Sequence, residues 1–390
     1  MEDVVIVSGA RTPIGRFQGA YANLSASDLG AIVIKAAVER AGIKPADVDH
    51  VILGCVGQVA EDGYISRFAA VKGGMPIETP AVTVNRICGS GLEAVNTAAR
   101  FIQTGDASVV VAGGAENMTM MPYYLRQARA GYRMGNGNME DGILHLLGDP
   151  FSKTHMGITA ENLAEKYEVS REAQDEVALR SQERAAAAIA AGRFKDEIVP
   201  VEVKQGKETV TIDQDEHPRM TSMEALAKLR PAFKDGGMVT AGNASGINDG
   251  AAAMVVMGAT RARELGVKPR LRLVSRAEAG VEPSIMGSGP IPAVQKALAK
   301  AGMTIDQIDL VELNEAFASV AAACSTALRL DPEKTNVNGG AIALGHPVGA
   351  TGAILTVKLM HEMERRGSKY GLVSLCIGGG QGIASIFERV

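Results

Sequence analysis

The chain has 390 residues, 46% hydrophobic and 22% charged, with a formal net charge of −4. That balance excludes an intrinsically disordered chain, and the length exceeds a single ordinary core. It also removes the electrostatic case for nucleic acid or an anionic membrane surface, leaving only local basic points for a small anionic ligand.

In chain order, acidic residues lead straight into an apolar strand at 4–8, with no basic leader and no run long enough to span a bilayer. A cytoplasmic location is the expectation. A helical pattern covers Ala26–Ala41 and a strand pattern covers 50–56. A β-prone stretch at 80–84 then runs into Cys88, followed by helical spacing over 92–102 and a strand at 108–112. Such alternation predicts an α/β fold with buried strands. From about 119 to 240 the chain turns rich in Met, Tyr, charge and turns, with an Ala-rich helix ending at Gly192.

Beyond this the α/β pattern returns and repeats the first part. Residues 41–53 match 301–313, each a helix end, a turn with an Asp and a strand. A second echo pairs 105–114 with 367–379 in the same order. Two ordered matches indicate a duplicated unit, with a ligand cleft expected between the halves.

Four cysteines (Cys55, Cys88, Cys324, Cys376) lie far apart, without CxxC or His/Cys ligand spacing. No zinc site or disulfide framework is expected, and a reducing compartment follows. Cys88 sits at a strand-to-helix turn, where unpaired N–H groups and the helix dipole favour thiolate. Its alternative is a buried packing thiol, common for free cysteine. His346 lies among glycines, which suits an imidazole facing a cleft; a tolerant turn histidine is the alternative. Cys376 ends a strand before three glycines and reads as either a pocket thiol or a strand cysteine. Asn314, after the strand 310–313, either serves an oxyanion or a water, or caps the strand.

Taken together, Cys88-Gly-Ser-Gly, Asn314-Glu-Ala-Phe, Gly345-His-Pro-Val-Gly-Ala-Thr-Gly and Cys376-Ile-Gly-Gly-Gly-Gln-Gly resemble, in order and spacing, the thiolases. The resemblance covers essentially the whole chain and looks like the acetyl-CoA acetyltransferase branch. It implies a thiolase fold of duplicated βαβαβαββ halves in a five-layered αβαβα arrangement. The N-terminal half would be 1–118 plus 247–268, the inserted loop domain 119–246, and the C-terminal half 269–390. The implied reaction is reversible cleavage of acetoacetyl-CoA, or condensation of two acetyl-CoA, through acetyl-Cys88.

By the same resemblance Cys88 is the nucleophile, His346 its base, and Cys376 the acid and base at the α-carbon. Asn314 holds a water beside the enolate, and the N–H groups of Cys88 and Gly378 form a second oxyanion hole. An ordinary thiol pKa of about 8.5 would let Cys376 act in both senses. Coenzyme A enters as substrate, with no further cofactor and no metal. Its arm would meet His155, Met156, Ala244, Ser245, Met286, Ala316 and Phe317, with Phe233 near the adenine and Arg219 near the 3′-phosphate. The implied assembly is a homotetramer, a dimer of dimers.

The remaining candidates receive quieter expectations. Met118, Met120 and Met121 read as core or subunit contacts, Cys55 and Cys324 as packing residues, and His50, His145, His217 and His361 as structural or exposed. A dinucleotide site fails because the glycines at 378–382 lead into a strand rather than a helix. A carrier-protein ketosynthase would have histidine in place of Cys376, and a non-catalytic lipid carrier would lack a key residue. A long-chain 3-ketoacyl-CoA thiolase is the nearer rival. Gly89 and the segment Gly242–Gly250 tilt toward short substrates, though neither reads chain length directly, whereas the long segment 142–151, which shapes the acyl pocket in that family, tilts away.

Overall fold

The computed structural model describes residues 2–390. Its first half carries β1 (Val4–Arg11), α1 (Ala26–Ala41), β2 (His50–Gly54), α2 (Ile65–Lys72), β3 (Ala81–Val84), α3 (Ser90–Thr104) and β4 (Val109–Asn117). The middle carries α4 (Met156–Lys166) and α5 (Arg171–Ala190) before the chain returns to the first half with β5 (Asn248–Gly258). The second half carries β6 (Leu271–Gly280), α6 (Pro290–Ala301), β7 (Leu310–Leu313), α7 (Ala318–Leu328), α8 (Thr351–Arg366), β8 (Tyr370–Ile377) and β9 (Gln381–Arg389).

The repeat is written in the same local chemistry twice. α1 and α6 both stop at a left-handed glycine, Gly42 (φ 68°) and Gly302 (φ 65°), where any Cβ would be strained. A one-turn 3-10 helix follows each, Pro45–Asp47 and Ile305–Gln307. An aspartate then pins the next strand crossing: Asp49 accepts from the N–H groups of Ser108 and Val109, and Asp309 from those of Lys369 and Tyr370. The strands so aligned, β2 with β4 and β7 with β8, run parallel.

Hydrogen-bonded neighbours follow the order β7-β8-β9-β6-β1-β5-β4-β2-β3. Within the sheet, the halves join through the pairing Val5↔Arg272 and Ile6↔Leu271. Three apolar cores account for five layers. One lies under α1 and α2, one under α6 and α7, and the largest lies between the sheets around α3 and α8. Leu92, Val95, Ile354, Val357, Ile377 and Ile383 meet in that central core, so both middle helices bury most of their circumference.

The second half is not a full copy. The counterpart of β3 is reduced to one parallel bridge, Val311↔Thr335, because Asn336 (φ 47°) and Gly339 (φ 81°) turn the chain away from the sheet. The predicted strands at 4–8 and 108–112 run on to Arg11 and Asn117, whose ends stay paired to β5.

Candidate active site

Cys88 sits where the β3-to-α3 connection is tied most tightly. The Ser90 hydroxyl donates to the Ile87 carbonyl (2.6 Å) and accepts from the Arg86 N–H (2.8 Å). This clamp holds Ile87 at φ 46°, a costly conformation for a β-branched residue, and turns the next side chain into a cavity. The helix terminus favours thiolate, as read from the sequence, but it does not make Cys88 a resting thiolate. The N–H groups of Gly378 and Cys88 do pull its pKa down, but burial outweighs them and pushes the thiol up to about 11. A base is therefore required.

His346 has the form of such a base. Thr351 Oγ1 lies 2.7 Å from His346 Nδ1 and itself donates to the Pro347 carbonyl (2.9 Å). With its proton committed there, the hydroxyl accepts from Nδ1–H, which leaves the lone pair on Nε2. Burial pushes the imidazole down to about 4, so at neutral pH it is an uncharged proton acceptor. Asn314 Nδ2 lies 3.3 Å from that Nε2, and Asn314 is itself fixed at the end of β7 by its N–H on the Ser374 carbonyl. Its buried Oδ1 has no hydrogen-bond partner among the described residues.

Cys376 is fully buried near the end of β8, where it is paired with Gly382 across the ladder. Burial raises its thiol well above the ordinary range, and the charge of a Cys88 thiolate raises it further. The ordinary thiol pKa expected from sequence therefore gives way to a raised one.

Cys88, His346 and Gly378 line one cavity of about 390 Å³. All nine predicted coenzyme contacts line it as well: His155, Met156, Arg219, Phe233, Ala244, Ser245, Met286, Ala316 and Phe317. Asn314 and Cys376 are not lining residues themselves; Asn314 lies against His346, which is one. His155 caps α4 by accepting the Gly157 N–H (3.0 Å), and its ring stacks on Phe233 at 4.6 Å. Phe317 meets Phe233 edge-on at 6.2 Å, giving an aromatic side to the tunnel. Ser245 donates through Oγ to the Ala316 carbonyl, and Arg219 to that of Ala241. Among the described residues no set of His, Cys, Asp or Glu is gathered for a metal ion.

Two sequence expectations need correction. Met118 lines the cavity instead of serving only as core, and His217, expected to be structural or exposed, lines it too. As expected, Gly89 does not read chain length directly: a Cβ there would meet Ile377 Cδ1 at 2.6 Å, in the core and away from the cavity. Gly89→Ser should therefore destabilise the fold by about 1–3 kcal/mol through overpacking while leaving acyl-chain preference unchanged. Thermal denaturation and a comparison of short and long substrates check both halves of that statement. Cys324, donating to the Gly287 carbonyl, and Cys55, beside Glu116, are buried as expected. The segment 142–151 contributes Leu146 and Leu147 to the cavity. Ile87 and Val348 also line it, and neither carries a sequence signal beyond its proximity to Cys88 or His346.

Comparison with known proteins agrees with this geometry. Residues 4–260 match the family described as thiolase, N-terminal domain, and residues 267–389 match thiolase, C-terminal domain. The beta-ketothiolase BktB of Cupriavidus necator is 52% identical over 391 residues, covering 100% of this chain and 99% of its own. The crystal structure of the Bacillus anthracis acetyl-CoA acetyltransferase superposes with a TM-score of 0.99 at 47% identity, covering 100% of this chain and 99% of that one. Human mitochondrial 3-ketoacyl-CoA thiolase in complex with CoA gives 0.97 at 45% identity, covering 100% and 98%. The chain belongs to the thiolase family.

Proposed function

We propose that the protein is an acetyl-CoA C-acetyltransferase that cleaves acetoacetyl-CoA with coenzyme A and, in reverse, condenses two acetyl-CoA. The observation that carries this reading is one cavity shared by a half-buried thiol, an uncharged buried imidazole and a tunnel with an aromatic side. In the cleavage direction His346 Nε2 takes the Cys88 proton, and the thiolate attacks the ketone carbon. The N–H groups of Cys88 and Gly378 hold the developing oxyanion, a contribution typically worth about 100- to 1,000-fold in rate. The carbon–carbon bond breaks, the acetyl group stays on Cys88, and the Cys376 thiol protonates the departing enolate. Asn314 and His346 stabilise the enolate oxygen; the unpartnered Asn314 Oδ1 suits a group that holds a water.

Acylation also removes the Cys88 charge that opposes a Cys376 thiolate, so the two thiols ionise in turn. The Cys376 thiolate then takes the proton of incoming coenzyme A, whose sulfur attacks acetyl-Cys88. The released Cys88 thiolate recovers its proton from His346, which closes the cycle.

A short acyl group is supported by the likeness to the Bacillus anthracis acetyl-CoA acetyltransferase over the whole chain. Thiolysis rates for acetoacetyl-CoA and for a long-chain 3-ketoacyl-CoA test the proposal. Faster turnover of the short substrate is expected; no thiolysis of either sinks the enzyme reading, and faster turnover of the long one sinks the short-chain assignment. The protein works as a cytoplasmic homotetramer, a dimer of dimers. Supporting this are the solvent-facing edge of β3 with exposed Tyr64, Ile77 and Val82, and the exposed Tyr123, Leu125, Met134 and Met139 of the middle segment. Four unpaired cysteines suit a reducing compartment, and no helix among the described residues is long and apolar enough to cross a membrane.

A further inference from the structure

We propose that Asn248 and Glu116 are positioning residues that dock the His346 loop onto the N-terminal half, over Cys88. The inference rests on the reading of His346 as the base for Cys88. The two reacting groups come from different halves of the chain. Cys88 sits at the head of α3, whereas His346 lies in the stretch 345–350, which has neither helix nor strand to hold it. Something from the first half must fix that stretch, and two buried side chains on neighbouring strands do so.

Asn248, fully buried at the start of β5, accepts the backbone N–H of His346 on Oδ1 (3.0 Å). Its amide donates to the Gly15 carbonyl (3.0 Å), which sets which atom faces the loop. Glu116, fully buried on β4, accepts the backbone N–H of Gly349 on Oε2 (2.8 Å). The same carboxylate gathers the N–H groups of Val56 (3.0 Å) and Gly57 (2.7 Å) after β2, so it is rigidly part of the first half. The register places Glu116 opposite Gly250, two residues along β5 from Asn248. Both anchors thus rise from adjacent strands and grip the loop on either side of His346.

This arrangement also explains the glycines that frame His346. A Cβ on Gly345 would lie 2.6 Å from Asn248 Cγ, and φ there is +109°. A Cβ on Gly349 would lie 2.5 Å from Glu116 Oε2. The small residues are needed because the docking side chains press against the loop backbone itself. Within the loop, Thr351 closes the frame by bonding both Nδ1 of His346 and the Pro347 carbonyl. Misplacing a catalytic group by about 1 Å costs on the order of 100-fold in rate, so this frame bears directly on turnover.

The experiment is iodoacetamide alkylation of Cys88 near neutral pH, together with thiolysis kinetics, in the full-length protein. His346→Ala should slow alkylation. Asn248→Ala should slow it about tenfold or more with His346 present and add nothing in the His346→Ala background. Asn248→Asp, which keeps an acceptor for the His346 N–H but loses the donor to the Gly15 carbonyl, should recover part of the rate. Glu116→Gln should lower kcat at an unchanged KM for coenzyme A, again with no further loss when His346 is absent. It serves as the second variant if Asn248→Ala fails to fold. A merely structural role predicts equal slowing in both backgrounds, and that result overturns the proposal, as does unchanged alkylation with His346 present. If His346→Ala itself leaves alkylation untouched, the base role fails and the docking falls with it; slowing by His346→Ala but not by Asn248→Ala overturns the docking alone.

Discussion

Cys88→Ala is expected to abolish thiolysis and condensation together, with no acetyl group carried by the protein. The expectation follows from where the bond forms. Cys88 is the thiol on the cavity wall that also has backbone N–H donors, those of Gly378 and its own residue, directed at it. Cys55 and Cys324 are buried elsewhere, against Glu116 and the Gly287 carbonyl, and cannot substitute. The loss should reach the background of the uncatalysed reaction, because covalent capture starts the whole sequence. Removing this thiol should leave stability nearly unchanged, since the residue is only partly buried. Coenzyme A binding should persist, because the tunnel side chains His155, Phe233 and Phe317 hold one another. Steady-state rates and a coenzyme A titration of the variant check both parts.

Cys376→Ala is expected to separate the two halves of the reaction. Proton transfer by a positioned side chain is typically worth about 100- to 10,000-fold, and the carbon–carbon step should slow by that order. Exchange of the acetyl-CoA methyl protons with solvent should disappear as well, because that exchange is the α-carbon deprotonation itself. Attack by Cys88 on a thioester uses His346 and the backbone donors, none of which the substitution touches. It also removes a neighbour whose own ionisation a Cys88 thiolate opposes, so the first step has no reason to suffer. Equal loss of acetylation and of carbon–carbon chemistry would refute this division of labour.

Much of the frame was legible because it is local. The glycine stops at 42 and 302 and the strand-aligning Asp49 and Asp309 carry their meaning within a few residues, and so the duplication could be read. The Cys88 turn was legible for the same reason: β-prone residues, small residues, then helical spacing. What escaped depends on contacts between distant segments. The helix terminus alone argued for a thiolate, and only the packed structure shows burial winning. Why residue 89 must be small is equally hidden, because the side chain that fills its Cβ position is Ile377, far along the chain. Glu116 and Asn248 carry no motif at all, since their partners are backbone N–H groups of a loop from the other half. The lost counterpart of β3 also escaped, because two residues with positive φ end that strand without altering its hydrophobic pattern.

The central claim is that Cys88 carries the acyl group while Cys376 moves the proton at carbon. Intact-protein mass spectrometry of Cys376→Ala after incubation with acetyl-CoA, followed by peptide mapping, addresses it most directly. One acetyl group on Cys88, with no acetoacetyl-CoA formed, is the predicted result. An unmodified Cys88, or an acetyl group mapped to another residue, would contradict it.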